Sequence, residues 1–228
     1  MGEHRAELVG PSRGTPLSRS SRPRRGLVIT VAGPDGAGKT TFCDALIAGV
    51  LHDRKVRQIH HRLGLFPLRG GETSDSTQPH AQRPYPRGVA EAKVCYLFVD
   101  SLASWVLALR PFVRSGGTLV IERGWWDLAV DPARYRLRSP ARLVRLFGHF
   151  LPRSDLLFVL EGPAELLASR KDEVSEAELA RQVRAWRDLV PDHQRCVYLD
   201  VSLPLEEVVS LAAAELARLE PARNRRNM

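Results

Sequence analysis

The chain has 228 residues, of which 43% are hydrophobic and 26% are charged, a balance that excludes a wholly disordered protein and suits one globular domain. Its net charge of +8 lies almost entirely at the two ends, because residues 1 to 26 and 218 to 228 together hold ten arginines against three glutamates. The segment between them is close to neutral. Nucleic-acid binding is therefore not favoured as the main function, since that function needs a basic folded surface.

The three cysteines, Cys43, Cys95 and Cys196, are odd in number and lack the paired spacing of a zinc site or a disulfide framework. A reducing, cytoplasmic setting fits this pattern. No apolar segment follows the basic N-terminal stretch, so no signal peptide is expected. We also expect no membrane span, because the most apolar helical stretch, "YLFVDSLASWVLAL", is interrupted by Asp100 and two serines.

The chain is expected to hold one folded domain between two basic ends: a disordered leader at 1–26, the domain at 27–217 and a flexible tail at 218–228. Short apolar runs predict five strands, at 27–32, within 55–62, and at 118–122, 155–161 and 196–201. Helical spacing predicts helices at about 38–51, 89–114, 139–151, 163–171, 175–190 and 203–219, while residues 64–88 are irregular. This alternation predicts an α/β fold, a three-layer sandwich with a five-stranded parallel sheet flanked by helices.

The loop after the first predicted strand carries the strongest chemical signal. Residues 33 to 40, "GPDGAGKT", match the P-loop pattern G-x-x-x-x-G-K-[ST] between a strand and a helix. In this pattern backbone N–H groups surround phosphate oxygens, the lysine reaches the β- and γ-phosphates, and the hydroxyl binds Mg²⁺. The sequence therefore predicts a P-loop NTPase fold with catalytic Lys39 and metal ligand Thr40. The predicted ATP-binding residues are Gly33, Pro34, Asp35, Gly36, Ala37, Gly38, Lys39, Thr40 and Thr41.

Asp35 is open to two interpretations. A carboxylate inside the loop would repel a triphosphate at close range, so its side chain is expected to point away, toward a second substrate. Alternatively, it stabilises the turn by accepting local backbone N–H bonds.

Four motifs in the same order resemble the thymidylate kinase family of P-loop nucleoside-monophosphate kinases, over about residues 27 to 217. They are "GPDGAGKTT", "RPFVRSGGTLVIERGWWD", "DLLFVLEGPAELLASRK" and "VYLDVSLPLEEVV". A "DPARY" element after the third strand is similar to a divergent bacterial branch of that family. The resemblance implies phosphoryl transfer from ATP to a small-molecule acceptor. It also implies that Asp35 faces an acceptor hydroxyl, that a lid lies at about 170–185, and that the last strand and helix lie near the adenine.

The end of the third predicted strand supplies two further candidate residues. Arg123 is expected to hold the acceptor phosphate or the transferred group, and Glu122 to act through Mg²⁺ or to orient that arginine. An ion pair that only caps the strand is the alternative. The pair His60-His61 in the second predicted strand does not predict a metal site, because adjacent strand residues point to opposite faces.

The lid and the acceptor pocket have their own candidates. Arg170 is the expected catalytic arginine of the lid, since phosphoryl transfer needs positive charge near the γ-phosphate. Lys171, Arg181 and Arg184 lie near it in sequence. Trp126, together with its neighbours Trp125 and Asp127, is expected either to shape the acceptor pocket or to pack in the core.

The chain departs from the family pattern in its acceptor half. Glu122 stands where the family has Asp, Gly36 where some members have arginine, and Asp100-Ser101 where an Asp-Arg pair is usual; the "REPGG" loop is missing. The acceptor is therefore open among thymidylate, another nucleoside monophosphate and a sugar. A nucleotide-binding regulatory or accessory protein with weak or no kinase activity is the alternative function, and a homodimer is left open.

Overall fold

The computed structural model describes residues 26–60, 83–138, 141–170, 174–189 and 195–225. Residues 1–25 of the leader predicted at 1–26, most of the irregular segment 64–88 and the lid candidate Lys171 lie outside these ranges.

Five parallel strands form a single sheet in the described part of the chain. They are β1 (Leu27–Ala32), β2 (Val56–His60), β3 (Thr118–Glu122), β4 (Leu156–Glu161) and β5 (Cys196–Asp200), arranged in the order β2-β3-β1-β4-β5. In register, Glu122 pairs with Val31 of β1 on one side and with His60 of β2 on the other. The carboxyl ends of these three strands therefore meet at one edge of the sheet, the edge at which α/β proteins bind ligands.

The described helices lie between and after these strands. They are α1 (Lys39–Gly49), α2 (Arg87–Ser104), a π-helical segment (Trp105–Leu109), α3 (Arg110–Arg114), α4 (Asp127–Val130), α5 (Ala141–Gly148), α6 (Ala164–Arg170), α7 (Glu176–Leu189) and α8 (Leu205–Arg225).

Helices cover both faces of the sheet, as alternate residues of β1 demonstrate. Ile29 and Val31 are completely buried in a cluster with apolar residues of α1 and α8. Val28, which points the other way, packs with Leu109 of the π-helical segment. Burial on both faces explains why the strand sequences are continuous apolar runs rather than alternating ones.

The long helix from Arg87 to Arg114 keeps part of its surface apolar and exposed. By length and composition it could cross a membrane, and a third of its most apolar window is buried against the rest of the chain. Val99 and Leu107 are the most exposed large apolar residues on it, at 63% and 68%.

The predicted α/β architecture with a five-stranded parallel sheet flanked by helices is confirmed, and the strand at 118–122 has the predicted bounds. Two local features were not predicted. The helix expected at 89–114 contains the π-helical segment, and α4 forms immediately after the tip of β3.

Candidate functional site

The loop that joins β1 to α1 accepts only glycine at two of its positions. Gly33 has φ 142° and Gly36 has φ 78°. A Cβ atom on Gly33 would lie 2.3 Å from the carbonyl oxygen of Leu160 in β4, and one on Gly36 would lie 2.5 Å from that of Leu167 in α6. A side chain at either position would strain the backbone and collide with it. The loop therefore lies directly against β4 and α6.

The first turn of α1 is suited to an anion. Gly38, at φ 74°, precedes the helix without a side-chain cap, and the first turn contains no acidic residue. The first N–H groups of a helix lack intrahelical partners and carry the positive end of the helix dipole. A Cβ atom placed on Gly38 would meet no described atom within 4 Å, so this end of the loop faces open space.

Lys39 turns its ammonium group back onto the loop. Its Nζ donates hydrogen bonds to the carbonyl oxygens of Gly33 at 3.1 Å and Pro34 at 2.6 Å. The side chain is buried, and this burial, reinforced by the charge of Arg123, lowers the pKa of Lys39 to about 7. An anion in front of the loop would favour the charged form of this lysine, because opposite charges attract strongly at a buried site.

Thr40 is joined to the tip of β3 through Glu122. The hydroxyl of Thr40 donates a 2.9 Å hydrogen bond to Glu122 Oε1. The other carboxylate oxygen, Oε2, accepts a 2.8 Å bond from Nδ1 of His60 at the end of β2. Glu122 is 4% exposed, so both its oxygens are fixed in place at the strand edge.

Arg123, the next residue, leaves the strand in an unusual backbone conformation. Its φ is 61°, a left-handed value that is uncommon for residues other than glycine. Its backbone N–H donates to Val31 O at 2.9 Å, and its buried side chain donates from Nη2 to Asp35 Oδ1. Nη1 lies 3.8 Å from Asp127 Oδ1. The backbone turn thus directs the guanidinium toward the loop that contains Asp35.

Asp35 is held between two arginines. Besides the bond from Arg123 to Oδ1, its Oδ2 accepts a 2.6 Å bond from Nη1 of Arg134. Asp35 is 2% exposed. Its carboxylate therefore points toward the end of β3 and the element that follows it.

Arg134 lies in the "DPARY" turn that follows α4. Asp131 Oδ1 accepts a 3.2 Å bond from the Arg134 backbone N–H, and Pro132 O accepts one from Leu137 at 2.8 Å. Sequence reasoning noticed the element without assigning a role to Arg134. Its partner lies 99 positions earlier in the chain, so no local pattern could have paired them.

Asp127 belongs to the same buried charged group as Asp35, Arg123 and Arg134. Its Oδ2 accepts a 2.7 Å hydrogen bond from the backbone N–H of Gly124. Burial raises the pKa of Asp127 to about 6, against the opposing effects of Arg123 and Lys39. Burial also acts to lower the pKa of Arg123, but the carboxylates of Asp35 and Asp127 outweigh it and raise that pKa, so the guanidinium stays charged.

A second feature, a cavity of about 280 Å³, opens beside the first turn of α1. One wall is made by the loop and α1, and the opposite wall by the segment that follows β5 and the start of α8. The lining residues are Ala37, Gly38, Thr41, Phe42, Leu160, Arg170, Val201, Leu203, Leu205 and Val208. The lining is largely apolar with one cationic side chain, a composition common in small-molecule pockets.

Arg170 and Trp126 make different contacts from those of Asp35. Arg170 is on the cavity wall, and its Nη2 donates a 3.1 Å bond to Val201 O. Trp126 packs in two apolar clusters, and a Cβ atom on Gly148 would lie 2.5 Å from its ring. Of the other arginines predicted to belong to a lid, Arg181 donates hydrogen bonds to Glu178 and to Val130 O.

The structure thus brings together Asp35, Lys39, Thr40, Glu122 and Arg123, all of them predicted site residues. Sequence reasoning missed His60 and Arg134. His60 could have been found only if β2 and β3 had been known to be adjacent, since the last residues of two adjacent parallel strands lie side by side. Within the described residues, no group of three or more His, Cys, Asp or Glu side chains could hold a metal ion by itself.

No protein-family model matches the chain, and no curated protein matches it.

Proposed function

We propose that the protein catalyses ATP- and Mg²⁺-dependent phosphoryl transfer to a small-molecule acceptor, as a P-loop enzyme similar to thymidylate kinases. The single observation that carries this proposal is the ion pair between Asp35 and Arg123. It joins the glycine-rich loop, the expected phosphate end of the donor, to the β3 tip, where an acceptor would bind. A loop that served nucleotide binding alone would not need a buried acid directed away from the phosphates.

The donor nucleotide is proposed to lie across the loop and the cavity. Backbone N–H groups of the loop and of the first turn of α1 would surround the phosphates, as in other anion sites at helix N-termini. Lys39 would exchange its bonds to Gly33 O and Pro34 O for bonds to phosphate oxygens. The base would enter the largely apolar cavity, where the Arg170 guanidinium could stack on a flat ring.

Thr40 and Glu122 fit a magnesium ion. Mg²⁺ prefers oxygen ligands and commonly binds through one or two carboxylates together with substrate phosphates and water. A hydroxyl and a carboxylate oxygen 2.9 Å apart, beside the loop, supply such a partial ligand set. When bound, the ion would neutralise charge on the phosphates. His60 would hold the second oxygen of Glu122 and keep the first one directed at Thr40.

The acceptor would lie on the other side of the loop, against Asp35 and Arg123. Arg123 stays charged through its two carboxylate neighbours and would orient the acceptor or the transferred group. Asp35 would accept a hydrogen bond from an acceptor hydroxyl. Lys39 and Arg123 would both supply positive charge near the transferred group, which phosphoryl transfer requires.

A turnover assay with a matched variant tests the proposal. The full-length protein would be incubated with Mg-ATP and a panel of nucleoside monophosphates, sugars and sugar phosphates, and ADP formation measured. We expect one acceptor to raise ADP formation well above the acceptor-free rate, and Lys39→Ala to abolish the increase. If the protein binds Mg-ATP through Lys39 but no acceptor raises turnover, the kinase proposal fails and a nucleotide-binding regulatory or accessory role replaces it.

A further inference from the structure

We propose that the face shared by α2, the π-helical segment and α5 docks the protein on a membrane that contains anionic phospholipids. This face consists of exposed apolar side chains beside arginines and lies outside the candidate functional site. The inference does not depend on the proposed phosphoryl transfer.

The long helix has an apolar side that the rest of the described chain leaves open. The exposed residues on this side are Ala92, Cys95, Val99, Leu102 and Val106. They recur at intervals of three and four residues, so they lie along one side of the helix. Between residues 94 and 109 the only charged residue is Asp100, and its side chain is buried. The helix therefore presents to water an apolar stripe about 20 Å long.

The apolar surface continues onto α5. The rings of Phe98 in α2 and Phe147 in α5 are stacked, with their centroids 4.5 Å apart. Leu102 lies one turn after Phe98 in its helix. Phe150 lies three residues after Phe147 and donates its backbone N–H to the carbonyl oxygen of Phe147 at 3.0 Å. Phe150 is 66% exposed and Leu146 is 53% exposed, so the apolar surface spans two adjacent helices.

Positive charge is concentrated on the α5 side of this surface. Arg142, Arg145 and Arg153 are exposed, and residues 132–154 contain six arginines and no acidic residue. Since residues 27–217 are close to neutral as a whole, this is a local excess of charge. Arginines beside exposed apolar side chains match an anionic bilayer, because the guanidinium groups meet lipid phosphates while the apolar side chains enter the acyl boundary.

The basic N-terminal segment joins the fold at the same long helix. Residues 1–25, outside the described ranges, contain six arginines and two glutamates. They precede Gly26, which lies against the backbone of Val113 in α3, where the long helix ends. Binding of a helix to a membrane surface grows with the apolar area that it buries and with its attraction to anionic lipids. This chain carries both contributions at one helix.

The helix would lie on the membrane rather than cross it. Ala90, Val94 and Leu97 are buried in an apolar cluster that includes Val144 of α5. The helix cannot leave the domain without exposing that cluster to water.

Two other occupants match the face less well. A two-fold interface with a second copy would bring identical patches together, including their like charges. A nucleic acid would contact the arginines but would leave the aliphatic side chains of α2 in water. An anionic membrane satisfies the arginines and the apolar side chains at once.

Vesicle co-sedimentation of the full-length protein tests the inference. Vesicles of phosphatidylcholine alone would be compared with vesicles that also contain phosphatidylglycerol. The variants are Val99→Gln, Phe150→Gln and the double variant Arg142→Gln/Arg145→Gln. The matched controls are Leu211→Gln, at an exposed apolar residue of α8, and Arg184→Gln, at an exposed arginine of α7. The melting temperature reports whether each variant is folded.

We expect the unmodified protein to sediment with the anionic vesicles and not with the neutral ones. Phe150→Gln should weaken this binding by about tenfold or more, since burial of a large apolar side chain accounts for that much. The double arginine variant should lose about fivefold for each arginine, and its binding should depend less on salt. The two control variants should bind as the unmodified protein does.

A polarity-sensitive dye would locate the contact. Cys95 is exposed and lies four residues before Val99, whereas Cys43 is buried, so the dye would be attached to Cys95 in a Cys196→Ser background. Its emission should shift to shorter wavelength with anionic vesicles and stay unchanged with neutral ones. The same dye on Leu211→Cys, in a chain that also carries Cys95→Ser and Cys196→Ser, should show no shift.

Four results would overturn the inference. The unmodified protein does not bind anionic vesicles, or Val99→Gln and Phe150→Gln bind them as tightly as it does, which would mean that the basic ends alone attract the lipid. The lipid-free protein is a dimer that Val99→Gln dissociates, which would mean that a second copy covers the face. An oligonucleotide binds more tightly than the vesicles and is lost in the double arginine variant but not in Val99→Gln, which would make nucleic acid the occupant.

Discussion

The hydroxyl of Thr40 donates a hydrogen bond to Glu122 Oε1 at 2.9 Å, which links the first turn of α1 to the tip of β3. These residues are 82 positions apart in the chain. In the proposed enzyme both oxygens would be ligands of one Mg²⁺ ion. A substitution of Glu122 therefore tests the metal site directly.

Replacing Glu122 with Gln should weaken nucleotide binding only when magnesium is present. The amide keeps the shape of the side chain but loses the negative charge that a hard cation requires. We expect the affinity for Mg-ADP to fall by about tenfold or more, as seen when ligand sets of metal sites are disturbed. Affinity for ADP without metal should change less than about twofold. Equal losses in both titrations, measured by calorimetry, would remove Glu122 from the metal site.

Gly36→Ala should destabilise the loop and abolish ADP binding. The added Cβ would lie 2.5 Å from Leu167 O, at a residue with φ 78°. We expect a loss of at least about 1 kcal/mol in the free energy of unfolding, since alanine is strained at positive φ. Gly49→Ala, at the end of α1, is the matched control because its Cβ meets no described atom within 4 Å. Urea unfolding and ADP titration of both variants decide the outcome; retained ADP affinity in Gly36→Ala contradicts the assigned loop geometry.

Asp35→Ala should cost far more stability than the loss of a surface ion pair. Among the carboxylates of the described residues, it leaves the buried guanidinium of Arg123 paired with Asp127, 3.8 Å away. Removing one partner of a buried pair costs about 3 to 5 kcal/mol. Arg187→Ala breaks the more exposed pair between Arg187 and Glu161 and should cost much less stability, because water screens exposed ion pairs. Because an anion can replace the lost carboxylate, added sulfate should raise the melting temperature of Asp35→Ala more than that of the unmodified protein. Similar free energies of unfolding for the two variants would contradict the buried pairing of Asp35 with Arg123 and Arg134.

Asp127 should make stability fall as the pH rises through its titration range. Its folded pKa is raised from 3.8 to about 6 by burial. A raised carboxyl pKa stabilises the folded protein below the unfolded pKa, and this contribution is lost as the pH rises through the folded value. The unmodified protein should therefore lose stability relative to Asp127→Asn between about pH 4 and pH 6 and show no further relative change above about pH 7. Urea unfolding of both proteins across this pH range is the measurement. If their free energies of unfolding change in parallel with pH, the raised pKa of Asp127 is wrong.

Leu203→Glu should weaken nucleotide binding without affecting the phosphate site. Leu203 lines the cavity beside α1, and a carboxylate there would have to be desolvated against a bound base. We expect the affinity for ADP to fall by about tenfold or more while that for inorganic pyrophosphate stays the same. Leu211→Glu, a 49% exposed position on α8 that does not line the cavity, is the control. Unchanged ADP affinity in Leu203→Glu would place the base elsewhere.

The sequence predicted the strands well because parallel strands with helices on both faces must be apolar along their whole length. The loop at 33–40 was also readable, since glycines at positive φ and a strand-to-helix transition leave a local pattern. The short helix α4 was not predicted, because its four residues, Asp127–Val130, follow the left-handed turn at Arg123 and carry no signal of their own. The two interpretations of Asp35 could not be separated from local sequence either, because its partners, Arg123 and Arg134, lie far from it in the chain.

By itself, then, the sequence determined the order of strands and helices, the glycine loop and the identity of most charged residues at the sheet edge. Hydrophobic periodicity and glycine conformation are local properties, and a single sequence records them directly. Only the tertiary structure decided which charges meet. Strand pairing brought Glu122 beside His60, and the turn after α4 brought Arg134 to Asp35, because those contacts depend on chain segments that approach one another only when the sheet and its crossovers have formed.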